Sequence, residues 1–210
     1  MSKINEIFEA VETGKVKMIT ALVEEALNEG IDPPSILNDG MVNAMASIGE
    51  KFQKSIIFVP EMLIAAKTMK KGVEVLKPKL GSASLSSRGK AIIGTVYGDL
   101  HDIGKNLVAL MIESAGFEVI DLGVDVSVDA FVNAIRENPD AKIVGLSCLL
   151  TTTMPALKET AQAIKASGLT GFKLIVGGAP ITQEFADQVG ADGYSADAAG
   201  AAELAKHLAA

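Results

Sequence analysis

The stretch Gly94–Val108, GTVYGDLHDIGKNLV, decides how this chain is read. It ends a short apolar run, passes through a tight turn at Tyr97-Gly98-Asp99, and enters a helical pattern. This is the grammar of a buried strand feeding a helix. His101 sits on the turn between Asp99 and Asp102, in a chain that has 2 histidines in all. Working outward, the apolar runs AIIGTV (91–96), FEVIDLG (117–123), AKIVGLS (141–147) and FKLIVGG (172–178) are each followed by a helical pattern. A weaker fifth run, ADGYSA (191–196), precedes an Ala-rich helix. Strands apolar on both faces belong in a parallel sheet covered by helices. Residues 89–210 are therefore expected to form a flavodoxin-like or Rossmann-like α/β domain with a five-stranded parallel sheet. Such sheets bind ligands beyond the carboxyl ends of their strands, at the point where strand order reverses, and His101 lies just past the first strand.

Toward the N-terminus the period changes. Ile4, Ile7, Phe8 and Val11, then Ile19, Val23, Ala26 and Leu27, then Leu37, Met41, Ala44, Ile48 and Phe52, and finally Met62, Ala66, Met69, Val73 and Leu76, recur at helical spacing. Thr13-Gly14 ends the first helix, Asp32-Pro33 offers an N-cap and a first turn for the third, and Pro60 opens the fourth. Residues 1–78 are expected to be a four-helix bundle, a cap domain. The Ser- and Gly-rich residues 79–88 read as a linker.

At 49% hydrophobic content the chain can build its own cores. Its single cysteine, Cys148, cannot form an internal disulfide, and it reads as a small buried hydrophobe. A net charge of −7, with basic residues scattered, argues against nucleic acid as a partner. No membrane-length apolar stretch and no signal-like N-terminus are visible, so a cytoplasmic protein is expected.

A loop histidine beside aspartates is by default a surface group. The pattern around His101 argues for more: carboxylates flank it, and Gly98 and Gly104 let backbone approach a bulky ligand or form a sharp turn. A metal-ligating imidazole commonly has its second nitrogen held by a carboxylate. Zn²⁺ needs three or four protein ligands, so one imidazole suits a metal that brings its other ligands in a macrocycle. Ser147, the TTT run at 151–153 and Gly177-Gly178 also have an ordinary reading, as strand end, helix start and turn. Methionines at helical spacing are first of all core filler, and His207 reads as an exposed residue of the last helix.

The residues Asp99-Leu100-His101-Asp102-Ile103-Gly104 match a DxHxxG signature, Ser147-Cys148-Leu149 an SxL element and Gly177-Gly178 a GG element. Three elements in this order resemble the cobalamin-binding (vitamin B12) domains of the methionine synthase class. The helical half resembles that class's cap, and the layout is similar to the stand-alone corrinoid proteins of methanogens and acetogens. The resemblance implies cobalamin bound base-off and His-on, with His101 as the lower axial ligand of cobalt. Asp99 and the hydroxyl of Thr153 would complete a relay behind it. It further implies that Ser147 and Thr151 bond the nucleotide tail, and that Leu149, Gly177 and Gly178 line its slot. Gly98, Leu100, Asp102, Ile103 and Gly104 would contact the cofactor, and Phe58 and Met62 would cover the upper face of the corrin. The bare glycines are expected to leave room for the tail.

The implied function is a methyl-carrying corrinoid protein, a non-autonomous component of a methyltransferase system. Its partners would be a donor-specific methyltransferase, an acceptor methyltransferase serving tetrahydrofolate or coenzyme M, and a corrinoid reductive activator. A subunit of a cobalamin-dependent isomerase shares the motif but is usually paired with a substrate barrel. A B12-binding regulator or sensor would normally add a DNA-binding or signalling module. A flavin or nucleotide binder on the same fold leaves His101 unexplained.

Overall fold

A computed structural model describes residues 2–80 and 88–210, and divides the chain into two units. The predicted linker falls mostly on 81–87, outside the described residues. In the helical unit α1 (Lys3–Glu12) starts at Ser2, whose hydroxyl accepts the N–H of Asn5 at 3.3 Å, and ends at Thr13 before the left-handed Gly14. Helix α2 spans Ile19–Asn28. The third helical rod, 33–53, is not uniform. It begins as α3 (Pro33–Ser35), widens to a π-helix over Ile36–Val42, and continues as α4 (Asn43–Gln53). Asp32 occupies the N-cap position of α3 but its side chain makes no capping bond. Helix α5 (Val59–Leu76) carries Pro60 in its first turn, and the Glu61 carboxylate accepts the Phe58 N–H at 3.1 Å.

The π-helical stretch has a reason in the burial pattern. Ile36 and Leu37, Gly40 and Met41, Ala44 and Met45, and Ile48 and Gly49 are buried as pairs four residues apart. At 3.6 residues per turn such pairs drift steadily around the rod, and the wider π turn cancels the drift. The same face thus stays inward against α1, where Ile7 packs beside Gly40. Ile7, Val11, Ile19, Val23, Met41 and Met62 are fully enclosed in the unit's core, each burial contributing roughly 1.5–3 kcal/mol.

The second unit comprises Arg88–Glu113 and Phe117–Ala210. It alternates β1 (Lys90–Thr95), α6 (Ile103–Ser114), β2 (Glu118–Asp121), α7 (Val128–Glu137), β3 (Ala141–Ser147), α8 (Met154–Ala166), β4 (Lys173–Gly177), α9 (Gln183–Val189), β5 (Gly193–Tyr194) and α10 (Ala198–Leu208). All strand pairs are parallel and the order is β2-β1-β3-β4-β5, the expected doubly wound sheet. Strand order reverses between β1 and β3. In register across the sheet, Thr95 pairs with Ser147 and Ser147 with Gly177. The ends of β1, β3 and β4 therefore finish in one row, and the loops that follow them emerge side by side. Below this row Ile92, Phe131, Val144, Leu146, Leu157, Ile164 and Val176 form the core that fixes it.

Candidate functional site

The turn after β1 is built on glycine and aspartate. Gly98 has φ +78°, a left-handed conformation that costs glycine little. It swings Asp99 inward, where its carboxylate is fully buried. One oxygen, Oδ1, accepts the His101 backbone N–H at 3.1 Å and lies 2.7 Å from His101 Nδ1. The other, Oδ2, accepts the Leu149 N–H at 2.7 Å, the Leu150 N–H at 3.4 Å and the Thr153 hydroxyl at 2.7 Å. These last donors come from the β3–α8 connection, whose 3₁₀ turn Thr151–Thr153 aims the Thr153 side chain inward.

Burial pushes the Asp99 carboxyl up. The bonds from Leu149, Thr153 and His101 outweigh it and hold the group well below the usual carboxylate range. Asp99 is thus an anion at neutral pH. A hydrogen bond to that anion assigns the imidazole proton to Nδ1 and leaves a lone pair on Nε2. The ring is half exposed, and nothing among the described residues bonds Nε2. The Thr95 hydroxyl donates to the His101 carbonyl at 2.9 Å and steadies the residue from below.

Other residues singled out from the sequence divide into two groups. Tyr97, Leu100 and Ile103 stand 63%, 73% and 86% exposed beside His101, and Leu149 and Leu150 are exposed on the facing loop. An apolar collar around a polar centre marks a binding surface. Ser147 ends β3, Thr151 begins the 3₁₀ turn, and Gly177 ends β4 in the same row. Asp102 does not join the relay: its carboxylate accepts the Asn106 side chain at 3.1 Å, in the first turn of α6. In the helical unit Phe58 is 63% exposed, whereas Met62 is enclosed in the core and has no exposed surface.

The glycines also divide. A side chain at Gly178, where φ is +132°, would put its Cβ 1.7 Å from the Cys148 carbonyl oxygen. Its bareness is demanded by protein backbone, a correction to the expectation that the tail alone requires it. At Gly177 the nearest atom to a Cβ would be the Ser195 oxygen at 3.5 Å, and at Gly104 nothing lies within 4 Å. Protein packing requires neither of these to be glycine.

Sequence reasoning passed over two groups. Lys105, almost wholly buried, donates to both oxygens of Asp121 at 2.6 Å and ties α6 to the end of β2. Asp125 accepts the Gly98 N–H at 2.7 Å. Both carboxylates lie in the run DLGVD, whose only sequence signal was a turn. Cys148 is a free thiol, 1% exposed, pushed up to about 11 by burial and by the Asp99 charge against a bond from Thr153. It is inert as a nucleophile.

Among the described residues no group of three or more His, Cys, Asp or Glu could hold a metal. The donor set is one imidazole on a buried anion, beside open glycines and an apolar collar, which fits a metal held in a large planar macrocycle.

Residues 89–203 match the B12 binding domain family, and residues 3–77 match a second B12 binding domain family. The chain is 42% identical to dimethylamine corrinoid protein 1 of Methanosarcina acetivorans, over 98% of this chain and 96% of that one. Among solved structures it resembles a cobalamin-binding protein from Desulfitobacterium hafniense, with TM-score 0.81, 33% identity and 98% of each chain covered. It also resembles the methanol:cobalamin methyltransferase complex from Methanosarcina barkeri, with TM-score 0.87 and 27% identity over 99% of this chain and 79% of that one. With the DxHxxG turn, the relay behind it and matches over both halves, the chain belongs to the B12-binding family, among its two-domain corrinoid proteins.

Proposed function

We propose that this protein carries a methyl group on cobalamin between two methyltransferases, with the cofactor bound base-off and His101 Nε2 as the lower axial ligand. One observation carries the reading: a lone imidazole, its Nδ1 held at 2.7 Å by a buried anion and its Nε2 unbonded, at the switch point of a doubly wound sheet. The names of its relatives, a dimethylamine corrinoid protein and a methanol:cobalamin methyltransferase complex, support methyl transfer as the setting. Bound cobalamin supplies a cobalt centre that accepts a methyl group from one partner and yields it to the next.

The chain's own residues do the rest. Asp99 fixes the tautomer and raises the basicity of His101. When Nε2 is not engaged by metal it can hold a proton, and the Asp99 anion, backed by Thr153, stabilises the resulting imidazolium. Ser147 and Thr151 offer hydroxyls to a polar nucleotide tail, and Leu149, Gly177 and Gly178 line its path. Leu100 and Ile103 exclude water from the edge of the ring. Phe58 is the remaining candidate for cover from the helical unit, since Met62 is spent on its core. The partners of this reading are a donor-specific methyltransferase, a second one serving tetrahydrofolate or coenzyme M, and a reductive activator, in the cytoplasm. Among the described residues no helix is long and apolar enough to cross a membrane.

Titration of the purified protein with hydroxocobalamin, followed by reduction to Co(II) and EPR, tests this. The expected result is stoichiometric binding and a signal split by one axial nitrogen, lost or reverted to the base-on form in His101→Ala. Absence of binding, or identical spectra for the two proteins, overturns it.

A further inference from the structure

Asp99 is held from two sides, and only one belongs to the relay. Its carboxylate is gripped by the β3–α8 connection. Its main chain is gripped by the β2–α7 loop, through a single residue. The Asp125 N–H donates to the Asp99 carbonyl at 3.0 Å, and Asp125 Oδ1 accepts the Gly98 N–H at 2.7 Å. Asp125 thus clips the chain just before and just after the backbone that presents the relay carboxylate. It does so with φ +53°, a left-handed conformation uncommon outside glycine, in which only Ser55 joins it among the described non-glycine residues. A residue held there by specific bonds is held for what those bonds position. The loop itself is anchored to the same strand: the Thr95 N–H donates to Gly123, and the Val126 N–H to Thr95, each at 3.0 Å.

We propose that Asp125 is a positioning residue for His101. By clamping Gly98 and Asp99 it sets the approach of the Asp99 carboxylate to Nδ1, and so the tautomer and strength of the imidazole as a ligand. The consequence for cobalt rests on the cobalamin reading; the consequence for the imidazole does not.

Three substitutions separate the clamp from the turn. Asp125→Asn keeps an acceptor and tolerates the left-handed conformation, Asp125→Gly keeps the conformation alone, and Asp125→Ala keeps neither. The first readout is the ¹⁵N NMR spectrum of the imidazoles in the cofactor-free full chain, at a pH where both rings are neutral. His207, far along the sequence on α10, serves as the internal control. The wild type and Asp125→Asn are expected to show His101 protonated at Nδ1, and Asp125→Gly and Asp125→Ala a mixture of tautomers, with His207 unchanged. The second readout is hydroxocobalamin affinity, expected to fall about 10-fold in the glycine and alanine variants, the low end of what loss of an outer-shell partner costs, and to be restored by asparagine. An Asp125→Gly protein with the wild-type His101 signal and affinity overturns the proposal, as does an asparagine variant no better than glycine. If the wild type binds no cobalamin the functional reading fails, and the tautomer comparison still decides the role of Asp125.

Discussion

At the scale of single residues, Asp99 concentrates more of the site's energetics than His101 does. Backbone and side-chain donors from two loops converge on its carboxylate in a space without water. Replacing it by asparagine turns an NH₂ toward donors that then have no acceptor. Asp99→Asn should therefore destabilise the α/β unit by about 2–4 kcal/mol at pH 7, measured by urea denaturation, as for other buried charge networks that lose a member. The pH dependence has a definite sign. The folded carboxyl ionises well below its ordinary value of 3.8, so its stabilising effect is complete above that value and is lost as pH falls below it. The gap between wild type and Asp99→Asn should narrow in acid, and a gap that widens there would contradict the assignment. Thr153 and Asp99 were legible from the spacing of the motif. Asp125 was not, because its role lies in main-chain bonds and a left-handed φ that no residue pattern encodes.

At the scale of elements, the strand ends were legible and the glycines on them only half so. Apolar runs gave each strand, yet the register that aligns Thr95, Ser147 and Gly177 in one row is a property of the assembled sheet. The expectation for Gly177-Gly178 was room for a ligand, and the structure gives the pair two different reasons. Gly178→Ala forces a Cβ into the Cys148 carbonyl and should cost about 3 kcal/mol or more, or prevent folding, as other violations of a special backbone position do. Gly104→Ala meets no atom and sits near the start of α6. It should leave stability unchanged or raise it by up to about 1 kcal/mol, while weakening cobalamin binding. Denaturation and hydroxocobalamin titration of the two variants check both halves of this contrast. The π-helical turn of the third rod shows a further limit of sequence reading. A stripe at positions 37, 41, 44, 48 and 52 predicts a helix, but the second member of each buried pair reveals the four-residue spacing only once the packing is seen.

At the scale of the whole molecule, two kinds of periodicity in one chain signal two units, and each has its own enclosed core. The relay is confined to the second. His101, Asp99, Thr153 and Asp125 all lie between Arg88 and Ala210, so the chemistry of the axial ligand is a property of that unit. The helical unit contributes an exposed apolar run at Ile56, Phe58, Val59, Leu63 and Ile64, which the sequence showed only as the even stripe of an amphipathic helix. The two faces of α5 thus do different work: Met62, Ala66 and Met69 fill the core, while Leu63 and Ile64 stay outside.

The lone thiol gives the molecule a built-in clock. Cys148 follows Ser147 directly and precedes Leu149, whose N–H closes on Asp99, and neither its burial nor its reluctance to ionise lets a reagent touch it in the closed fold. A thiol label can therefore react only in molecules whose β3–α8 turn has momentarily come undone, and its rate counts those openings in unmodified protein. Slower labelling in the presence of cobalamin would time how firmly the cofactor keeps that door shut, without any reporter having to be added.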